Sequence, residues 1–143
     1  MTEYLMSEKL QKLFDKSEIL DLMSCYCHGI DKNDASLFMG IWADDAQYVL
    51  PRGKAKNKDQ VRSLVDKVWR EVPKCHHHIT NPLITIHGNN AIGKSDVLYF
   101  RQTADGQRCW LSGGYEFEFV KSPEGWKIKS LKFTSFVGES PLF

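Results

Sequence analysis

No stretch of this sequence approaches the roughly 20 consecutive apolar residues that a membrane-spanning helix needs, and Met1 to Leu13 carries charges every few residues with no apolar leader core. Neither a membrane span nor an export signal is expected, and a cytoplasmic setting is. Nor is there an excess of one charge, since 19 Lys and Arg stand against 18 Asp and Glu. Such a balance leaves no electrostatic footprint for nucleic acid or an anionic membrane surface, so a neutral or weakly charged small molecule is the expected partner. The basic residues Arg52, Lys54, Lys56 and Lys58 lack a glycine-rich phosphate cradle and read as a solvated turn. Cysteines are few, and their spacing suits neither a disulfide framework nor a zinc set. Cys25 and Cys27 are two apart in a helical segment, about 200° around the axis from each other, so they cannot share a metal. With Cys75 and Cys109 they read as free thiols in a reducing compartment. No repeat, low-complexity segment or linker divides the sequence. Its 143 residues amount to one domain, 1–143, large enough to bury roughly two thirds of its unfolded surface and hold an internal cavity.

What is present begins as helix. Ile19, Leu22, Met23, Tyr26 and Ile30 recur at the spacing that lines one face, with Ser17 placed to cap the start and Gly29 near the end. Asn33 or Asp34 caps a second helix with an apolar face of Leu37, Phe38, Ile41 and Trp42, and Asp44-Asp45 then turns the backbone into a strand at Gln47 to Leu50. A loop at 51–55 leads to Asn57, with Gln60 three residues on, a capping box for a helix striped by Val61, Leu64, Val65, Val68 and Trp69. From residue 76 the period changes to two. Turns at Gly88-Asn89-Asn90, Asp105-Gly106 and Pro123-Glu124-Gly125 divide the rest into strands at roughly 79–87, 91–103, 108–121 and 126–137. Helices followed by consecutive hairpins predict an α+β cone, with the N-terminal helices laid across a curved antiparallel or mixed sheet that encloses a pocket. Gly113-Gly114, mid-strand, suits a sheet that bends around such a pocket.

The residues that carry chemistry cluster in two places. Asp31 closes the first helix, and His77 lies in Cys75-His76-His77-His78-Ile79-Thr80-Asn81. A carboxylate against an imidazole makes a general base, because the acid holds the tautomer and stabilises the imidazolium that forms. Alternation puts Cys75, His77 and Ile79 on one face and His76 with His78 on the other. The latter pair could form a metal site only with further ligands, and the next acid is as far off as Asp96, so they read as surface residues and no metal is assigned. Cys75 reads as a pocket or core residue, and Asn81 as a substrate contact or a strand-end residue.

Tyr26, the run Gly29-Ile30-Asp31-Lys32-Asn33-Asp34, the run Ile41-Trp42-Ala43-Asp44-Asp45-Ala46, and His77-His78-Ile79-Thr80-Asn81 together resemble the SnoaL-like branch of the nuclear transport factor two superfold. Within it they are most similar to the scytalone dehydratase and hexachlorocyclohexane dehydrochlorinase group, over about Ser17 to Phe136. The resemblance implies that Asp31 orients and charges His77, and that His77 removes a proton from substrate carbon as water or halide departs. It further implies Tyr26 and Tyr48 as carbonyl polarisers acting through water, Trp42 and Trp110 as an aromatic wall, and Lys132 as a cation on the last strand. This sequence has no histidine on the strand Cys109-Trp110-Leu111-Ser112, where scytalone dehydratase carries its second one. A homo-oligomer, trimer or dimer, formed through the exposed sheet face is also implied.

The reading is a cofactor-independent lyase, of dehydratase or dehydrohalogenase type, or an isomerase, acting on a small hydrophobic cyclic substrate. Asp31 and His77 are the catalytic pair, and Tyr26, Tyr48, Trp42, Cys75, Asn81, Trp110 and Lys132 are the substrate contacts. Two alternatives stand beside it. One is a non-catalytic binding or assembly module of the same fold. The other is a ketosteroid-isomerase-like shuttle that uses a carboxylate base and a tyrosine oxyanion donor.

Overall fold

The computed structural model describes residues 2–141 and opens on one long helix, α1 (Thr2–Asp31). It starts well before Ser17, which lies mid-helix, and its burial begins only at Asp15, continuing through Ile19, Met23, Tyr26 and Ile30. The stop is encoded locally. Asn33 takes φ +53°, the left-handed conformation that asparagine tolerates better than most residues. The amides of Asn33 and Asp34 then donate to the carbonyls of Ile30 and Gly29, a Schellman closure. Gly29 is required here, because a Cβ at that position would lie 2.9 Å from the backbone of Phe38.

A short helix, α2 (Ala35–Gly40), follows, capped by Asp34, whose carboxylate accepts the Leu37 amide at 2.9 Å. It ends at Gly40, so Trp42 opens the next strand, β1 (Trp42–Leu50), which starts earlier than period-two reading predicts. The expected loop at 51–55 contains a strand, β2 (Gly53–Ala55), paired antiparallel with β1. Helix α3 (Lys58–Glu71) begins as expected: Asn57 Oδ1 accepts the Gln60 amide at 2.9 Å, and Gln60 Oε1 accepts the Lys56 amide at 2.9 Å.

Three hairpins follow, built from β3 (Lys74–His87), β4 (Asn90–Gln102), β5 (Arg108–Ser122) and β6 (Gly125–Pro141). The sheet runs β2-β1-β6-β5-β4-β3, and β1 lies parallel to β6 while every other pair is antiparallel. It is a curved, mixed, open sheet rather than a closed barrel, with β2 and β3 as its edges. The helices cover its concave face, and a core of Trp42, Phe38, Phe119, Ile128 and Leu131 fills the closed end.

Two features set the curvature and the depth of the hollow. Register shifts on β5 flank Ser112, and the adjacent glycines let β6 cross closely: a Cβ on Gly113 would collide with the Thr134 carbonyl oxygen. Asp15 anchors α1 to the far end of the sheet. This carboxylate, 5% exposed, accepts from Lys121 Nζ at 2.8 Å and Trp126 Nε1 at 2.9 Å. Burial raises its pKa, but the hydrogen bonds from Lys121, Trp126 and Gln11 outweigh that and hold it below the ordinary carboxylate value. No helix among the described residues is long and apolar enough to cross a membrane.

Candidate active site

The Schellman turn leaves Asp31 as the last residue of α1, facing β3, and the indole of Trp69 in α3 pins the same turn by donating to the Ile30 carbonyl at 2.9 Å. On β3, period-two alternation turns His77 and Cys75 inward. The two side chains that sequence reading paired across 46 positions therefore meet: Asp31 Oδ1 lies 2.5 Å from His77 Nδ1, with the side chains 9% and 5% exposed. Asp31 Oδ2 accepts the His77 backbone amide at 2.9 Å, and the Cys75 thiol donates to Oδ1 at 3.4 Å. The carboxylate is thus gripped from one strand by three donors.

Burial pushes the Asp31 pKa up, but the His77 side chain, its charge, its amide and the Cys75 thiol together bring it below the usual carboxylate value. The acid stays ionised beside the ring, and Nδ1 is the nitrogen committed to it. Nε2 is left for whatever enters the hollow that His77 lines. That hollow is a cavity of about 200 Å³ between the helices and the concave sheet face. Apolar walls come from Ile30, Leu50, Val68, Leu111 and Phe133.

Tyr26 and Tyr48 line the cavity and join at 2.8 Å through their hydroxyls. Sequence reading missed a third, Tyr115, whose hydroxyl lies 3.4 Å from that of Tyr26. Burial raises the pKa of all three well above that of free tyrosine, with their mutual proximity adding to the rise for Tyr26. They remain protonated, so they serve as hydrogen-bond donors and not as bases. Tyr99, also missed, packs its ring on His77 at 4.4 Å between centroids, and burial keeps its hydroxyl protonated as well.

Four expected contacts lie elsewhere. Trp42 is 1% exposed but sits in the core, its ring 4.8 Å from that of Tyr48, so it backs the tyrosine instead of facing the cavity. Trp110 belongs to the outer face of β5, because Cys109, Leu111, Gly113 and Tyr115 are the buried set. Lys132 is exposed opposite Glu116, while its neighbours Leu131 and Phe133 face inward. Asn81 is exposed at φ +53° in the irregular stretch of β3 and donates to Asp96 at 2.9 Å. Alternation defined these faces correctly, but nothing in the sequence said which face is inner.

Cys75 stands beside Asp31 and is not a wall of the cavity. Arg52, read as part of a solvated turn, and Arg101, not singled out at all, both line the cavity. The pairing of β3, β4 and β5 places Arg101 between Cys75 and Cys109 on the same inward row. His76 and His78 are exposed on the opposite face, their rings 4.3 Å apart.

One set of donors is close enough to hold a cation: single ligand atoms of Asp31, Cys75 and His77 lie within 4.8 Å of one another. Their chemistry fits a hydrogen-bonded relay better. Burial first, and then the charge of Asp31, push the Cys75 thiol up, so it is a donor to that acid and not a thiolate.

A curved, open, mixed sheet backed by N-terminal helices is the nuclear-transport-factor-2-like α+β cone, and here its concave face carries the Asp31–His77 pair. The protein belongs to the SnoaL-like domain family, whose sequence pattern matches residues 11–132. Hexachlorocyclohexane dehydrochlorinase 1 of Sphingobium indicum is 27% identical over 126 residues, 85% of this protein and 82% of that one. The solved dehydrochlorinase LinA-type3 of Novosphingobium barchaimii superimposes with a TM-score of 0.86 at 26% identity, over 94% of both proteins. A candidate scytalone dehydratase from Novosphingobium aromaticivorans shares the fold, with a TM-score of 0.82 at 19% identity over 92% of this protein and 90% of its own length.

Proposed function

We propose that this protein is a cofactor-independent lyase, of dehydratase or dehydrohalogenase type, or an isomerase, whose base is His77 and whose orienting acid is Asp31. The observation that carries the reading is the 2.5 Å contact between Asp31 Oδ1 and His77 Nδ1 at the wall of an apolar cavity. In the step, Nε2 takes a proton from substrate carbon. The electron pair of the broken C–H bond forms the new C=C bond, and the leaving group departs with its own bonding pair. In an isomerisation the same proton is returned to a different carbon. Asp31 stabilises the imidazolium formed in between, so charge develops where a counter-charge already stands. Tyr26, Tyr48 and Tyr115 present protonated hydroxyls to a carbonyl or hydroxyl oxygen of the substrate. A small hydrophobic ring suits both the walls and the volume.

We place the protein in a reducing, cytoplasmic setting, in keeping with its four free cysteines, and as a homo-oligomer. The test is a screen of purified protein, with no metal or cofactor added, on halogenated and hydroxylated cyclic compounds, alongside His77→Ala. Loss of about 10²- to 10⁴-fold in rate is expected for the variant, the usual worth of a positioned general base. Equal turnover by the two proteins on any hit would defeat the assignment and leave the tyrosines to support a carboxylate-based shuttle.

A further inference from the structure

A base that takes a proton from carbon has to lose it again. If the leaving group is a hydroxide it carries the proton off, and an isomerisation returns it to the substrate, but a stable anion such as halide takes nothing with it. His77 then has to shed the proton once per turnover before it is a base again. Among the described residues that line the cavity, the other groups able to carry a proton are four tyrosines and two arginines. Burial keeps Tyr26, Tyr48, Tyr99 and Tyr115 protonated, and a guanidinium offers no acceptor. Asp31, held below the usual carboxylate value by its hydrogen bonds in spite of burial, is a poor acceptor as well. The cavity side therefore holds no onward carrier.

His77 also lines a second hollow, of about 440 Å³, between α1 and the edge strand β3. Its helix wall is a single helical face, Leu20, Met23, Ser24, Cys27 and His28, and its strand wall runs from His77 to Pro82. Met23 is buried at the floor, while Ser24, His28, Thr80 and Pro82 are exposed at the rim, so this gap opens to solvent.

The gap is built into β3. Between Thr80 and Leu83 the register with β4 shifts, so that Asn81 and Pro82 stand against the single residue Ser95. Asn81 holds φ +53° there and is tied to Asp96 at 2.9 Å, and the proline has no amide to pair. Ser95 is 4% exposed, and its hydroxyl has no hydrogen-bond partner among the described residues, a group that an internal water would satisfy. A polar, irregular seam beside the base thus interrupts an otherwise regular strand pair.

We propose that the gap between α1 and β3 is a proton exit: the imidazolium of His77, formed when the C–H bond breaks, gives its proton to water in the gap and returns to neutral imidazole while the product leaves by the cavity. The water passes the proton to buffer, so the only net change at the base is its recovery. Substrate and proton then leave His77 on separate sides, and a product still seated on the apolar walls does not delay the next base. The proposal rests on the proposed function for the identity of the base.

The test needs no substrate: it is the exchange with water of the His77 ring N–H protons, followed by NMR on the full-length nitrogen-15-labelled protein and assigned by their loss in His77→Gln. Ser24→Trp and Thr80→Trp place a large side chain in the gap from its two exposed walls, and Leu50→Trp does the same at the half-buried cavity wall. Each gap variant should slow the exchange by about 10-fold or more, or bring into view a signal that fast exchange hides, and Leu50→Trp should not. Exchange indifferent to both gap variants, or slowed by Leu50→Trp alone, would overturn the proposal. On any halogenated compound that is turned over, the gap variants should lower kcat and leave kcat/KM as it is, because the proton is shed after the irreversible departure of the leaving group. Turnover lost with His77→Gln while exchange ignores the gap variants defeats the exit and keeps the base. Exchange that obeys them in a protein whose turnover survives His77→Gln keeps the water path and defeats the base.

Discussion

Asp31 occupies a position that stability alone would not choose. It is the last residue of α1, where the helix dipole is negative and an acid is disfavoured by about 0.3–1 kcal/mol. The cost is offset by three donors from β3, and the net result is a depressed pKa. A depressed folded value means that the interactions of Asp31 stabilise the fold fully above the unfolded carboxylate pKa near 3.9 and fade as pH falls through the lower folded value. Asp31→Asn is expected to lose about 10²-fold or more in turnover, since the imidazolium loses its counter-charge. It should also be less stable than wild type by about 1–3 kcal/mol at pH 7, with the gap narrowing below about pH 4. Urea midpoints for both proteins at pH 7 and pH 3 measure this, and a gap that widens on acidification would contradict the charge assignment.

The strands explain what was readable beforehand and what was not. Asp31 and His77 were legible as a pair through the family resemblance carried by the runs Gly29 to Asp34 and His77 to Asn81; a helix stop and an alternating strand alone read each of them as an ordinary structural residue. Trp110 and Lys132 were carried over from the family resemblance, and period two could not check them, because it sorts residues into faces without naming the inner one; the answer lies in the packing of Leu111, Tyr115 and Phe133 against the helices. Arg52 and Arg101 stayed hidden for the same reason, since a cation on an inward row has the same local signature as one facing water. The Gly113-Gly114 pair was legible as a bend, but the two glycines are not equivalent. A Cβ on Gly113 collides with the Thr134 carbonyl oxygen and meets the Phe133 ring at 2.6 Å, whereas one on Gly114 meets only the ring of Phe136, which is 65% exposed and free to swing. Gly113→Ala should therefore cost about 1–3 kcal/mol through forced separation of β5 and β6, while Gly114→Ala should be nearly neutral. Thermal melts that rank the two variants the other way would show that the strand crossing is not the constraint.

Taken as one molecule, the protein leaves apolar side chains uncovered on two surfaces. Residues 2–14 of α1 are all exposed, and Met6, Leu10, Leu13 and Phe14 recur along them at helical spacing. This segment only extends the packed part of α1 and covers nothing of its own domain, which makes its apolar stripe a surface that a further protein copy could cover. The outer face of the sheet exposes Ile92 and Leu98 on β4 with Phe136 and Val137 on β6, and edge strand β3 adds Leu83. Two unpartnered apolar surfaces on one protomer are most economically covered by further copies of it, and a closed ring or dimer is the usual outcome. The wild-type protein is expected to run as a discrete homo-oligomer by light scattering, with a melting temperature that rises with concentration. Replacing Leu10 and Phe14 together by Glu should shift it toward monomer while leaving the Asp31 and His77 pair in place, because neither residue touches the described core. A wild-type protein that stays monomeric at about 100 μM, where even weak micromolar association would be visible, would remove the argument that the exposed helix is a contact surface.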